Sequence, residues 1–489
     1  MKKLSELFEI DKKEDMNIYS IHSDSRWVRP NSIFFCIEGL SVDGHRYVDD
    51  AIFQGAKCIV YSKELHDYQQ GVVYIRVKDT LDELNRVSNV FYDYPSKKIK
   101  MLGVTGTSGK TVVASMIKNA MNNYCPTGFI GTISVEYPGV SRRTPYTTPE
   151  TIYVQQTLAS IAKKGVKVCT MEASSHGLAL RRIDAINFAV AIMTNIGSEH
   201  LDFHGTVEQY VLSKRKLFEM VPVNGTAILN NDDHNFGTIR KACVCKVITY
   251  GIDNDSDIMA KNIKLYIDHT ELDLYFKCNL HHVILPTIGM FNIYNVLAVV
   301  GGFIALGFDD QMIIKEVENL APIPGRCEVL KTNDNVNIII DYCQHTENYE
   351  NILKFVTEAK DPRGKVIVVM GAPGKRNLKR RKKIGKIADK YADHIIITEL
   401  DERGEDLDII AKEISSEIKN TPYVTISSRE VAVEQAVEMA NENDVVLLLG
   451  KGNEDFISLP VGQIPYLSDR TVALNTIENK FGEDYEEIQ

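Results

Sequence analysis

The residues with the clearest chemical purpose are Gly106, Thr107, Ser108, Gly109, Lys110 and Thr111. They stand between an apolar run at 101–104 and a helical pattern that reaches about residue 119. Strand, glycine-bearing turn and helix in that order make a phosphate-binding loop. Gly106 and Gly109 let backbone N–H groups meet a phosphate with no Cβ in the way. The helix adds the positive end of its dipole. Lys110 is placed for the β and γ phosphates, and the Thr111 hydroxyl for Mg²⁺. The full Walker spacing would put a glycine at Val104, whereas Gly103 stands one residue early. A plain glycine turn before a helix is the other reading. The fall of Gly109-Lys110-Thr111 at the helix start favours ATP.

Holding such a loop takes a stack of strands and helices, and the chain is long enough for several. Its 489 residues suit about three domains. Residues 1–98 read as strands at 32–37, 57–61 and 72–77 with a helix at 47–55, and Tyr94-Pro95-Ser96 marks a boundary. In 99–328 the runs 167–171 and 188–195 are apolar almost throughout, as parallel strands covered on both faces are. Residues 255–287 look antiparallel, with strands at 263–267 and 272–276, and a helix follows from 289 to about 306. A second boundary falls near Pro322-Ile323-Pro324-Gly325. Beyond it, 329–489 carries strands at 338–342, 366–370, 395–398 and 445–449, each ending in polar or glycine residues where open α/β sheets bind ligands.

The bulk chemistry narrows the partners. A net charge of −10 argues against nucleic acid. No apolar run reaches the ~18 residues of a membrane span, and the acidic start does not read as a signal peptide. The nine cysteines are scattered, with no Cys-x-x-Cys spacing, and read as core filler in a reducing cytoplasm. Glu172 ends a buried strand beside the phosphate loop, which suits a hard-oxygen ligand for Mg²⁺; capping the next helix is its alternative role. His200 follows another strand end, where an isolated histidine is more often structural. On spacing alone Lys214, beside Arg215 and Lys216, is a solvated helix lysine.

Several signatures in order resemble the Mur ligase family, most closely its MurE type. They are Ser23-Asp24-Ser25-Arg26 with Asp43-Gly44-His45, Tyr94-Pro95-Ser96, the phosphate loop, Thr147-Thr148-Pro149, and Glu172-Ala173-Ser174-Ser175-His176-Gly177. Thr194-Asn195, His200-Leu201-Asp202-Phe203-His204-Gly205, Phe291-Asn292-Ile293-Tyr294-Asn295 and Pro324-Gly325-Arg326-Cys327-Glu328 continue the series. The resemblance implies an α/β protein of three domains. These are a small uridine-binding domain (1–98), a central P-loop-type ATPase domain with a mostly parallel sheet (99–328) and a C-terminal Rossmann-like domain that takes the amino acid (329–489).

The resemblance also assigns roles. Thr111, Glu172, His200 and Lys214, the last as a carbamate, would hold metal; Lys110, Lys214 and His200 would be catalytic. Asn292 and Asn295 resemble adenine-side amides, and Arg326 and Asp341 resemble contacts to the nucleotide. Ser25, Thr147, Thr148, Ser174 and Arg182 match positions that hold the uridylated substrate. Arg376, Asp401, Arg403, Gly450 and Glu454 match the amino-acid pocket. The implied reaction joins an amino acid to UDP-MurNAc-dipeptide. Its carboxylate takes the γ-phosphate of ATP, and the incoming amine then displaces phosphate, a matter of positioning and charge neutralisation. The expected setting is a cytoplasmic monomer acting on small molecules with ATP and Mg²⁺.

The third domain departs from the pattern. The family's Asp-Tyr-Ala-His-Thr-Pro is Asp341-Tyr342-Cys343-Gln344-His345-Thr346 here, and its Gly-Lys-Gly-His-Glu is Gly450-Lys451-Gly452-Asn453-Glu454. Where diaminopimelate-adding members read Asp-Asn-Pro-Arg, this chain reads Leu400-Asp401-Glu402-Arg403. Arg403 suits a carboxylate, and Asp401 together with Glu454 an amine, so a cationic amino acid such as lysine or ornithine is the charge-based expectation. A helix-capping loop is the alternative there. In the basic run from Lys375 to Lys383, Arg376 is expected to meet substrate and the rest to be solvated surface. Two rivals remain: a paralogue acting on another carboxylate, and an ATP-binding protein whose ligase activity has lapsed.

Overall fold

Runs that are apolar at every position become parallel strands, because helices cover both of their faces. The computed structural model describes residues 1–39, 42–343, 345–376, 378–482 and 485–487. Gln344 lies outside these described residues. The chain divides into two units, Met1–Thr249 and Tyr250–Gln489.

The first unit opens with a four-stranded parallel sheet, Ser20–His22, Ser32–Phe35, Ala56–Tyr61 and Val73–Arg76 in that spatial order. Alternation sorts its side chains: Ile33, Phe35 and Cys58 enter one core, Phe34, Cys36 and Ile59 the other. The helix Thr80–Phe91 closes the first core, its free N–H groups capped by Asp79.

The unit's larger sheet centres on Lys100–Thr105, flanked in parallel by Val168–Glu172 and Phe188–Met193. Thr127–Ile130 and Thr226–Asn230 extend it on either side, and a hairpin of Val135–Tyr137 and Val140–Arg142 turns back at the edge. The register sets Glu172 opposite Val104 and Met193 opposite Thr105. Both neighbouring strands therefore end level with the loop at 106–109.

In the second unit, Ile258–Leu265, Thr270–Phe276 and Asn279–Leu285 form an antiparallel meander, five residues earlier in its start than the sequence pattern indicates. The mostly buried helix Met290–Leu306 ends at Gly307, whose φ of 93° is a conformation glycine reaches without strain. The later sheet runs Tyr423–Ile426, His394–Thr398, Val366–Met370, Val445–Leu449, Asn337–Asp341, Arg326–Thr332, Tyr485–Glu487. Its first five strands are parallel and the last two antiparallel. Tyr423–Ile426 has no counterpart in the sequence reading, being a short edge strand with half-exposed residues. Val366, Val368 and Met370 face one core, Ile367 and Val369 the other.

Cys36, Cys58, Cys169, Cys245 and Cys343 are buried among these cores, and Cys278 is exposed at the meander turn. Burial pushes the Cys36 and Cys169 thiols up to about 12. Among the described residues no helix is long and apolar enough to cross a membrane.

Candidate active site

The phosphate loop is held from below by the end of the strand Phe188–Met193. The Thr194 hydroxyl donates to the Ser108 carbonyl at 2.6 Å, Asn195 accepts the Ser108 N–H at 3.0 Å, and the Thr107 N–H reaches the Asn195 carbonyl at 2.7 Å. Gly106 packs so tightly here that a Cβ would overlap the Thr194 hydroxyl. Gly109, at φ 81°, makes the turn into the helix Lys110–Met121. Lys110 Nζ donates to the Gly106 and Thr107 carbonyls, both at 2.9 Å, so its ammonium lies folded over the loop.

Glu172 is fully buried, and among the described residues no cation pairs with it. Its oxygens accept the Thr132 N–H at 2.7 Å, the Thr132 hydroxyl at 3.0 Å and the Thr111 hydroxyl at 2.9 Å. Gly131 makes room, since a Cβ there would overlap the carboxylate. A buried carboxylate short of positive charge, next to a hydroxyl at a phosphate loop, fits Mg²⁺. Among the described residues no group of three or more His, Cys, Asp or Glu side chains converges to hold a metal, so water, phosphate or modified-lysine oxygens would complete the shell.

Lys214 corrects the reading as a solvated helix lysine. It is 1% exposed, with Nζ 2.7 Å from the Gly106 carbonyl and over the Tyr210 ring. Burial first, then Lys110, hold its pKa well below the ordinary lysine value. Tyr210 in turn bonds Thr107 at 2.9 Å, so loop and lysine share one scaffold. His200 stands exposed at φ 55°, with its ring 4.7 Å from that of His176. His204 and Phe203 complete the aromatic cluster, and burial lowers the pKa of both His176 and His204.

The residues expected on the uridylated substrate divide. Thr148 is fully buried and serves as scaffold: its hydroxyl donates to the Glu172 carbonyl at 2.8 Å and accepts the Ser174 N–H at 2.9 Å. Ser174 caps the short helix Ser175–Ala179, and Arg182 donates to the Thr148 carbonyl at 2.9 Å over the Tyr146 ring. Thr147, half-buried, bonds Thr132. Ser25 is buried in a single-turn 3₁₀ helix. Nearby, Asp43, His45 and Ser62 mimic a hydrolase triad. However, His45 Nδ1 donates to Asp43 at 2.6 Å while Nε2 accepts the Ser62 and Lys63 N–H groups. With that lone pair engaged, His45 is no general base.

In the second unit, Asn292 and Asn295 are buried side by side, joined at 3.0 Å, with Asn292 also donating to the Ile288 carbonyl. The Arg326 guanidinium lies 4.3 Å over the Tyr342 ring. Asp341 accepts the Cys327 N–H at 2.9 Å and the Cys343 N–H at 2.7 Å, which makes it a turn anchor. Arg376 is exposed. Arg380 and Arg381 correct the expectation of a solvated basic face, for both are buried. Arg381 binds Glu405 and Glu413, and Arg380 donates to the Cys343 carbonyl.

The charge reading of the amino-acid pocket also changes. Between Gly450 and Gly452, both at positive φ, Lys451 is fully buried. Its Nζ sits 2.6 Å from Glu454 and 3.2 Å from Asp401. Asp401 also accepts the Ser458 N–H at 2.8 Å and lies 3.6 Å from the Arg403 guanidinium. The cation that Asp401 and Glu454 were expected to draw from substrate is already supplied by the chain. The sequence reading missed Lys451, although the glycines on either side of it were a signal.

Three family models match the chain in order: "Mur ligase family, catalytic domain" over 17–97, "Mur ligase middle domain" over 104–302, and "Mur ligase, glutamate ligase domain" over 325–452. A UDP-N-acetylmuramoyl-L-alanyl-D-glutamate–2,6-diaminopimelate ligase of Clostridium botulinum is 35% identical over 450 residues, 91% of this chain and 92% of that protein. The chain belongs to the Mur ligase family.

A ligase of the same name from Alkaliphilus metalliredigens is 36% identical over 452 residues, 91% of this chain and 90% of its own length. Among solved structures, a diaminopimelate ligase of that kind superposes with a TM-score of 0.70 at 23% identity, covering 95% of both chains. MurF of Thermotoga maritima in complex with ADP gives 0.61 at 19% identity, covering 94% of this chain and 97% of that one. As a Mur ligase the protein is an ATP-dependent, ADP-forming amide ligase. Its phosphate loop, Glu172 and Lys214 fall inside the match to the middle domain.

Proposed function

We propose that this Mur ligase adds 2,6-diaminopimelate to UDP-MurNAc-L-Ala-D-Glu in peptidoglycan precursor synthesis, as a cytoplasmic monomer using ATP and Mg²⁺. The single observation that best supports the chemistry is Lys214. It is a fully buried amine bonded to the carbonyl of Gly106 in the phosphate loop, and among the described residues no carboxylate pairs with it. Carbamylation would convert it into an anionic ligand facing the site. The diaminopimelate assignment rests on the names of the relatives and on a pocket whose two carboxylates are already balanced by Lys451 and Arg403. That neutralisation removes the argument for lysine or ornithine.

The boundaries 1–98, 99–328 and 329–489 remain part of this reading. Glu172, Thr111, His200 and carbamylated Lys214 would hold the metal, which offsets phosphate charge when bound. The loop N–H groups and Lys110 orient the γ-phosphate, with Lys110 exchanging its carbonyl partners for phosphate oxygens. The substrate carboxylate forms a bond to the γ-phosphorus as ADP leaves. The amine of the incoming amino acid attacks the acyl carbon, and inorganic phosphate departs from the tetrahedral intermediate. Thr147, Ser174 and Arg182 would face the uridylated substrate, with Thr148 beneath them. Arg403, Arg376 and Glu454 would face the amino acid. Phosphate release measured with UDP-MurNAc-dipeptide and a panel of amino acids tests the reading. Release requiring both substrates, fastest with diaminopimelate, supports it. Release with another carboxylate acceptor, or none at all, overturns it.

A further inference from the structure

Resting on that reading, we infer that Lys451 is a positioning residue that sets which amino acid the pocket accepts, by cancelling the charge of Asp401 and fixing Glu454. Lys451 does not meet solvent: its side chain is fully buried, packed over the Phe456 ring at 4.8 Å. Its ammonium bridges two carboxylates, at 2.6 Å to Glu454 and 3.2 Å to Asp401. Glu454 and Arg403 retain 20% and 27% side-chain exposure and form the face a ligand can touch. Asp401, at 9%, lies behind them. Two carboxylates and two cations thus balance, arranged with Lys451 and Asp401 beneath and Arg403 and Glu454 above.

The backbone holds this arrangement. Gly450 has φ 114°, and a Cβ there would press on the Leu400 side chain, one residue before Asp401. Ser458 N–H fixes the other side of the Asp401 carboxylate at 2.8 Å. A balanced pocket leaves the Arg403 guanidinium able to take a ligand carboxylate and Glu454 a ligand ammonium. That favours a diamino acid with a distal carboxylate over one with a purely cationic side chain. Without the Lys451 charge the pocket carries an excess negative charge, which repels the carboxylate and attracts the plain cation.

The experiment is amino-acid-dependent phosphate release by the full chain with saturating ATP and UDP-MurNAc-dipeptide, comparing diaminopimelate with L-lysine. Lys451→Met should lower the ratio of kcat/KM for diaminopimelate to that for lysine about 10- to 100-fold, chiefly through KM. Lys451→Arg should keep the ratio, and Asp401→Asn combined with Lys451→Met should restore it to within about threefold. Where Lys451→Met fails to fold, Asp401→Asn alone carries the test. It leaves an excess positive charge and should raise the ratio. Equal loss on both amino acids in Lys451→Met, or an unchanged ratio in Asp401→Asn, overturns the inference. An inactive wild type overturns the proposed function instead, so the two failures are distinguishable.

Discussion

Two lysines reach the phosphate loop from different helices, Lys110–Met121 and Val207–Glu219, and they should respond differently to removal. Lys110→Ala removes a positioned charge at the γ-phosphate, and turnover should fall about 10²- to 10⁴-fold. UDP-substrate binding should persist, as isothermal titration would check. Lys214→Ala should also lose turnover, with partial recovery on adding short carboxylates that replace a carbamate. Intact-mass measurement showing an unmodified lysine in active, metal-bound enzyme would remove that role. Lys214 further predicts a trade of stability against activity. Its folded pKa is depressed by burial and by Lys110, so below that value the folded state pays for a charge the unfolded state solvates freely. In CO₂-free buffer Lys214→Met should therefore raise the Tm. The gain should vanish as pH climbs toward the ordinary lysine value of 10.5, grow as pH falls below it, and level off only below the depressed folded pKa. Calorimetry across pH checks the sign.

Elements bring these residues together through register. Because Glu172 lies opposite Val104 across two parallel strands, the carboxylate arrives beside the loop without any loop of its own. Gly131 is what lets it stay, and Gly131→Ala should displace Glu172. We expect turnover to fall at least ~10-fold with an unchanged circular dichroism spectrum and a raised KM for Mg²⁺–ATP. The strand–loop–helix order and the ends of the flanking strands are legible in the sequence, since periodicity and glycine placement are local properties. The burial of Lys214, Arg381 and Lys451 is not. Lys214 has Arg215 and Lys216 as neighbours, and Arg381 sits in a run of five basic residues, so locally they look solvated. Each has a distant partner, 108 positions away for Lys214, 24 for Arg381 and 50 for Lys451, even where a nearer one such as Glu454 also serves. Asp401 was misjudged for the same reason: its charge is visible in the sequence, but its counterion is not.

Across the whole molecule, stability rests on several separate cores, and one of them encloses charge. Arg429 and Asp469 are both fully buried and joined at 2.7 and 2.8 Å, with the Tyr466 hydroxyl on the same carboxylate at 2.5 Å. Asp469→Ala strands the guanidinium in an apolar interior and should cost about 3–5 kcal/mol, read as a lower urea midpoint for the second unit.

The scattered cysteines have a use as well. Cys58 and Cys36 lie in the two cores of the small sheet, Cys169 and Cys245 in the central core, and Cys343 in a core of the second unit. With their thiols kept protonated by burial, alkylation waits for each core to open. Cys278 alone is exposed, with Cys125, Cys243 and Cys327 partly so. Pulsed labelling with mass readout therefore turns the chain into its own set of clocks for four of its cores, the central one carrying two thiols. The order in which the five buried thiols are modified gives the order in which the cores come apart.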